Sequence, residues 1–367
     1  MADEFMLGTS TDTGYWIWAG TRLYADGGID ATHRYPDLNP KQRRRRVADL
    51  ETAWLAAQWE PPTATASHRI ELRFATDVDA HRVQVALLVR VVAATRQEAE
   101  ERARRALHRA ADPNALPAHV NSRSIEAEQE LRTWLGSPGR VGAFVEVHKH
   151  LSALRVARGG SPLPYAVRHG NFGAGAAWDV WWREFAKLDF PAVLCVGFDP
   201  YDADNPDLRR ELQRRTGVLE ALATRAVPSP LNPYDVPPDP AAQAAVHGYQ
   251  RALARYAGSC YRLRVALVSE SEVPATLLAT LVGTFSAEPG AVLPVRPTGP
   301  ELAEAIREHR SLGAPWLPQA HQQTMPVAPD VVDRLLHSLV DLPEAVAALS
   351  LPVHWPGSPA CFDDLGS

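Results

Sequence analysis

The stretch "HRVQVALLVRVVAATRQEAEERARRAL", residues 81–107, decides the fold class. Its first part is rich in β-branched residues and predicts a strand. Its second part starts with Thr95 and Glu98, whose spacing matches a helix-capping box, and predicts a helix. A second stretch, "CYRLRVALVSESEVPATLLATLVG" at 260–283, repeats the order of strand, polar turn and helix. The two stretches therefore predict two α+β halves of similar construction.

The segments before residue 81 extend the first half. "NPKQRRRRVADLETAWLAAQW" at 39–59 predicts a helix, because Asn39 is a good cap and a proline follows it. "HRIELRFAT" at 68–76 alternates apolar and polar residues and predicts a strand. With an opening strand near Trp16, the order becomes β-α-β-β-α, which is typical of ferredoxin-like sandwiches.

We therefore expect an α+β fold with two ferredoxin-like halves and additional helices. The predicted division is a first α+β domain over 1–137, a second over 138–355 and a C-terminal tail over 356–367. Within the second domain, the Gly- and Pro-rich segment 159–175 is expected to be an exposed loop.

The composition is that of an ordinary globular chain. It has 367 residues, 46% hydrophobic content and a formal net charge of −5, which argues against a protein that coats nucleic acid. No apolar run is long enough to cross a bilayer, and the N-terminus does not resemble a signal peptide. The cysteines are widely separated, which excludes a zinc ribbon and favours a reducing cytoplasm: Cys195, Cys260 and Cys361.

The lysines exclude a Walker phosphate loop. Such a loop needs a Gly-Lys pair before Ser or Thr, and the lysines at 41, 149 and 187 follow Pro40, His148 and Ala186. There is also no Gly-x-Ser-x-Gly elbow and no His-Glu-x-x-His sequence. We expect a protein that is not an enzyme and that needs no cofactor.

One strand carries a candidate metal site. In "EVHKH", side-chain alternation puts Glu146, His148 and His150 on one face, where they have the types of ligand that a divalent metal prefers. The alternative is a half-exposed strand whose opposite face, with Val145 and Val147, is buried.

The arginine run "KQRRRR" lies at a helix start, where the helix dipole disfavours cations. Its partner is a nucleic-acid backbone, an acidic protein surface or the acidic residues nearby. The candidate binding residues are Arg43, Arg44, Arg45 and Arg46.

The helix "WDVWWREF" carries an aromatic stripe. Trp178, Trp181 and Trp182 have the spacing of one helix face, so they form either core or an interface with a partner.

Several segments resemble the N-terminal α+β region of HerA-type and conjugative (type IV secretion) pumping ATPases, in which this region precedes a RecA-like motor. The similar segments include 85–107, "PAVLCVGFDPYDADNPDLRREL" at 191–212, 261–283 and "DLPEAVAALSLPV" at 341–353. The last resembles the passage into the motor. Here the phosphate loop of the motor is missing, so no ATPase residue is carried over.

The resemblance implies a non-catalytic adaptor or scaffold that docks on a separately encoded motor ATPase or another protein subunit. We expect it to work within an oligomeric complex of a translocation, conjugation-like or defence system, in the cytoplasm or at the periphery of a membrane complex. Its docking edge is predicted at the step Leu351, Pro352 and Val353. The alternatives are a metal-dependent enzyme built on the Glu-x-His-x-His strand and a nucleic-acid-binding protein.

Overall fold

A computed structural model describes residues 5–11, 14–26, 34–63, 65–158, 161–225, 235–286, 288–313, 331–355 and 361–364. These residues form twelve strands and ten helices in a mixed α+β arrangement. The strands are β1 Leu7–Thr11, β2 Gly14–Ala25, β3 Ser67–Asp77, β4 Arg82–Ala93, β5 Val120–Ser124, β6 Ala143–Lys149, β7 Leu151–Arg155, β8 Tyr165–His169, β9 Ala192–Asp202, β10 Ser259–Ser269, β11 Val292–Val295 and β12 Leu339–Val340.

The helices are α1 Pro40–Gln58, α2 Arg96–Ala111, α3 Glu128–Leu135, α4 Trp178–Phe185, α5 Pro206–Ala223, α6 Pro240–Arg255, α7 Ala275–Phe285, α8 Pro300–Ser311, α9 Val331–Ser338 and α10 Leu342–Ala347. The caps predicted at Asn39 and Thr95 are confirmed. Asn39 accepts from the amide of Gln42 at 3.0 Å, and Thr95 accepts from the amide of Glu98 at 3.2 Å. These caps fix where α1 and α2 begin.

One ten-stranded sheet runs through the molecule. Its main path is β1-β2-β4-β3-β9-β10-β6-β11, with β5 beside β2 and β12 beside β10, and its strand ladders are antiparallel. The two predicted domains therefore share a sheet, joined where β3 pairs with β9 from Ile70 opposite Phe198 to Ala75 opposite Val193. The strand order is β5-β2-β4-β3 in the first half and β11-β6-β10-β9 in the second.

The segment 159–175 differs from the predicted exposed loop. Tyr165–His169 is a strand that pairs with β7 in a separate hairpin, and Phe172 is buried in the main core. The hairpin is held by contact with α6 and not by local sequence preference, which explains why its glycines and prolines misled the prediction. The described part of the predicted tail, 361–364, also packs against the sheet, because Phe362 bridges to Val83 and Asp364 to Ala25.

The two faces of the sheet differ in composition. On one face, apolar side chains from every long strand pack against α1, α2, α4, α7 and α10 in one continuous core. The other face is covered in part by α3 and α8, over two smaller apolar clusters. Between those clusters lies a buried strip of charged side chains. A further cluster joins α5, α6 and α9 to the β7–β8 hairpin.

Candidate docking surface

Segments from three distant parts of the sequence meet at one place on the surface. Arg44 of α1 lies with a guanidinium nitrogen 3.3 Å from a carboxylate oxygen of Asp179 in α4. The same guanidinium stacks over the ring of Trp355, 4.6 Å from its centroid. Trp178 and Val353 line the shallow pocket beside them. We call these five residues, Arg44, Trp178, Asp179, Val353 and Trp355, the Arg44 surface.

Buried contacts hold the last segment, 341–355, in this position. Asp341 caps α10 by accepting from the amide of Glu344 at 3.0 Å. Glu344 accepts from the ammonium group of Lys149 at 3.0 Å, and Lys149 is only 1% exposed. Farther along, the amide of Leu351 donates to a carboxylate oxygen of Glu51 in α1 at 2.7 Å. The segment is therefore fixed to β6 at one end and to α1 at the other.

These contacts decide which residues of the predicted docking step are accessible. Leu351 and Pro352 are buried, whereas Val353 and Trp355 are half-buried. Only the end of the Leu-Pro-Val step can therefore contact another molecule without rearrangement.

The aromatic helix is divided in the same way. Trp181 and Trp182 are core residues, 0% and 3% exposed, and the indole of Trp182 donates to Ser350 at 3.0 Å. Trp178 stacks on Trp182 with centroids 5.2 Å apart and stays partly accessible, and Val180 beside it is 43% exposed. The stripe thus supplies both core and surface.

The arginine run points in several directions around α1. Arg43 donates to the carbonyl of Tyr35 at 3.0 Å, and Arg44 belongs to the Arg44 surface. Arg45 and Arg46 are exposed. The run therefore adds positive charge to this side of the molecule without forming a single continuous row.

The metal-site prediction falls on a strand that is buried on both faces. Arg264 donates to a carboxylate oxygen of Glu146 at 2.8 Å, and the Nε2 of His148 lies 3.2 Å from the other oxygen. His150 lies beyond the strand, with its Nδ1 3.0 Å from the carbonyl of Gly290. In the part of the chain that the structure describes, no three His, Cys, Asp or Glu residues are arranged to hold a metal ion.

Charge neighbours explain the protonation state of Glu146. Burial alone would raise its pKa, but the positive charge of Arg264 and the hydrogen bond with His148 outweigh burial and hold the pKa below its usual range. Burial would lower the pKa of Arg264, yet Glu146 raises it. The lowered pKa of Glu146 and the raised pKa of Arg264 mean that both groups are ionised and stabilise each other.

A buried charged strip beside this pair was missed by the sequence reasoning. Arg73 donates to Glu71 at 2.9 Å, and both side chains are fully buried. Arg69 is also fully buried, but its guanidinium has no hydrogen-bond partner among the described residues, and the nearest oxygen of Glu71 is 4.0 Å away. Gly197 makes room for it, because a Cβ there would lie 2.5 Å from Arg69. The available signal was the presence of opposite charges at alternate positions of neighbouring strands.

Sequence reasoning also missed a polar network behind the β7–β8 hairpin. Asp333 of α9 accepts from Arg215 at 3.2 Å, from the hydroxyl of Tyr249 at 3.0 Å and from His169 at 3.1 Å. These residues come from four elements, so no local pattern connects them. His169 lies in the segment that had been expected to be a loop.

The comparisons with known proteins add no relative. No protein-family model matches the chain, and no curated protein matches it. Among the described helices, none is both long and apolar enough to cross a membrane. The resemblance to pumping ATPases therefore stays a prediction from the sequence.

Proposed function

We propose that this protein is a non-catalytic adaptor of two ferredoxin-like units that docks on a separately encoded motor ATPase of the HerA or conjugative kind. The complex would serve a translocation, conjugation-like or defence system. The meeting of Arg44, Trp178, Val353 and Trp355 on one surface carries this proposal.

The strand order supports the two units. A ferredoxin-like unit has the chain order β-α-β-β-α-β with the fourth strand beside the first and the third between the first and second. Strands β5-β2-β4-β3 and β11-β6-β10-β9 both fit this pattern, with α5 and α6 inserted in the second. The similar stretches 81–107 and 260–283 supply the third strand and second helix of each unit.

The composition of the Arg44 surface supports protein binding. Tryptophan and arginine are the residue types that most often dominate the free energy of protein–protein binding. Trp355 and Trp178 offer large rigid rings, and the stacked Arg44 offers charge. Because Arg45 and Arg46 lie exposed on the same helix, we expect the partner segment to be acidic and aromatic or aliphatic.

Binding to a separately encoded motor ATPase of the HerA or conjugative kind tests the proposal. Trp355→Ala and Arg44→Glu should each weaken the complex at least tenfold in a titration followed by fluorescence anisotropy. Arg210→Glu is the matched control, because Arg210 is exposed on α5 and, among the described residues, pairs with Asp207 of the same helix. Equal binding by all variants would reject the docking surface, and ATP turnover by the purified adaptor alone would reject the non-catalytic role.

A further inference from the structure

A polar cleft opens between the β7–β8 hairpin, α6 and the loop before β11. Its volume is about 560 Å³, which falls within the range of about 300–1,000 Å³ typical of small-molecule sites. It lies on residues that the Arg44 surface does not use. The charged and titratable side chains that line it are His150, Arg168, His169, His247, Arg251 and Glu288.

The charges of this cleft favour an anion. Two guanidinium groups and three imidazoles face one carboxylate, Glu288, which lies 3.4 Å from Arg168. Arg251 hydrogen-bonds to the side-chain oxygen of Asn171, and within the described residues it has no carboxylate partner. Its remaining donors can therefore bind phosphate, whose geometry suits a guanidinium.

His169 provides a second and different group. Asp333 is ionised, because the hydrogen bond from His169 and the charge of Arg215 overcome the effect of burial and lower its pKa. An ionised carboxylate only accepts, so the Nε2 of His169 carries the proton in their 3.1 Å hydrogen bond. That bond uses one of the two ring nitrogens, and Nδ1 is the other.

That second nitrogen is not used within the described residues. The side chain of His169 is 7% exposed, and its Nδ1 has no hydrogen-bond partner there. A buried polar nitrogen without a partner is unfavourable, and a ligand hydroxyl can supply that partner. His169 and Arg251 line the same cleft, and both also line a second, smaller cavity.

We propose that this cleft binds a small hydroxylated phosphate ester, with the phosphate on Arg251 and Arg168 and a hydroxyl hydrogen-bonded to the Nδ1 of His169. The site goes beyond the adaptor function, since the two surfaces have no residue in common. A ligand there would contact α6 and the hairpin, and it would be recognised at both its charged and its polar end.

Calorimetric titration of the full chain with ribose 5-phosphate, ribose and inorganic phosphate tests this site. Ribose 5-phosphate should bind saturably, and ribose should not. Arg251→Gln should weaken binding at least tenfold, whereas Arg210→Gln on α5 should leave it unchanged. His169→Phe keeps a ring that can pack on Tyr249 but removes the Nδ1, so it should weaken binding of ribose 5-phosphate and not of phosphate.

Thermal unfolding of each variant separates binding from folding. Absence of saturable binding in the folded wild type, or equal binding by folded Arg251→Gln, would overturn the proposal. Equal affinity of His169→Phe for ribose 5-phosphate would overturn the assignment of the hydroxyl. If Arg251→Gln fails to fold, Arg168→Gln makes the same test, because Arg168 is largely exposed.

Discussion

The two faces of the central sheet bury side chains of opposite character on the same strand. On β3, Ile70, Leu72 and Phe74 enter the continuous apolar core, and each is at most 2% exposed. The alternating side chains of the same strand, Arg69, Glu71 and Arg73, point to the other face and are 0% exposed. Side chains are thus equally buried on the two faces. On the apolar face they are stabilised by dispersion and the exclusion of water, and on the charged face they are stabilised by ion pairing.

Two glutamates show what this difference means for ionisation. Glu146 on the charged face is paired with Arg264, and its pKa lies below the usual range despite burial. Glu51 on the apolar side has, among the described residues, a single hydrogen bond from the amide of Leu351, and burial raises its pKa to about 8. A cation beside the carboxylate therefore decides the direction of the shift.

The largest effect is expected where an ion pair is broken. Arg264→Met leaves Glu146 buried without its cation, and we expect the free energy of unfolding to fall by about 3–5 kcal/mol. Arg69→Met is the matched control, since Arg69 has no hydrogen bond to lose within the described residues. Its free energy of unfolding in urea should stay equal or increase. A large loss in Arg69→Met would show that the strip acts as one network.

On the apolar face, Leu72→Ala removes a fully buried side chain. The lost transfer free energy and the remaining cavity should lower the free energy of unfolding by about 2–5 kcal/mol. Unlike the charged variants, this loss should not vary with pH between about 6 and 9, because neither leucine nor alanine titrates in that range. Urea unfolding at several pH values measures both points, and a pH-dependent loss would contradict the separation of the two faces.

The raised pKa of Glu51 predicts that the free energy of unfolding changes with pH by a few kcal/mol. Its pKa is about 8 in the folded protein and near 4.5 ordinarily, so only the folded state stays protonated between these values. Its stabilising contribution is complete below about pH 4.5 and is lost as the pH rises towards about 8. Glu51→Gln copies the protonated form. The free energy of unfolding of the wild type relative to this variant should therefore fall across that range, and parallel profiles would contradict a raised pKa.

The smallest effect on stability is expected at the Arg44 surface. Arg44 is 49% exposed, so its pairing with Asp179 is screened by solvent. Arg44→Ala should change the free energy of unfolding by less than about 1 kcal/mol. Thermal unfolding measures this change, and a larger loss would show that Arg44 holds the segment 341–355 in place and is not free to serve a partner.

The sequence predicted elements whose signals are local. Asn39 and Thr95 cap their helices as expected, and the apolar alternation at Ile70, Leu72 and Phe74 marks the core face of β3. The sequence did not reveal β5, "VNSRS", because this short polar strand is held by its pairing with β2 and not by a local signal. The ferredoxin-like halves remain a proposal that rests on the strand order.

The candidate sites were predicted less completely. The arginine run, the aromatic helix and the segment near Val353 were each identified, but their meeting at Trp355 depends on tertiary packing. Alternation at Arg69 and Glu71 indicates only that one face is apolar, and it does not say what covers the other. The contact of His169 with Asp333 joins distant elements and has no local signature.

The pairing of β3 with β9 has a consequence for self-association. Six residue pairs connect the two strands, so each half covers a strand edge of the other half. Without this pairing, the edge would offer unpaired amide and carbonyl groups. A half produced alone would present that edge to other copies of itself. Light scattering of such a fragment should show dimers or larger aggregates, and a proline placed at Leu72 should suppress them. The junction between the halves thus also protects the molecule against aggregation.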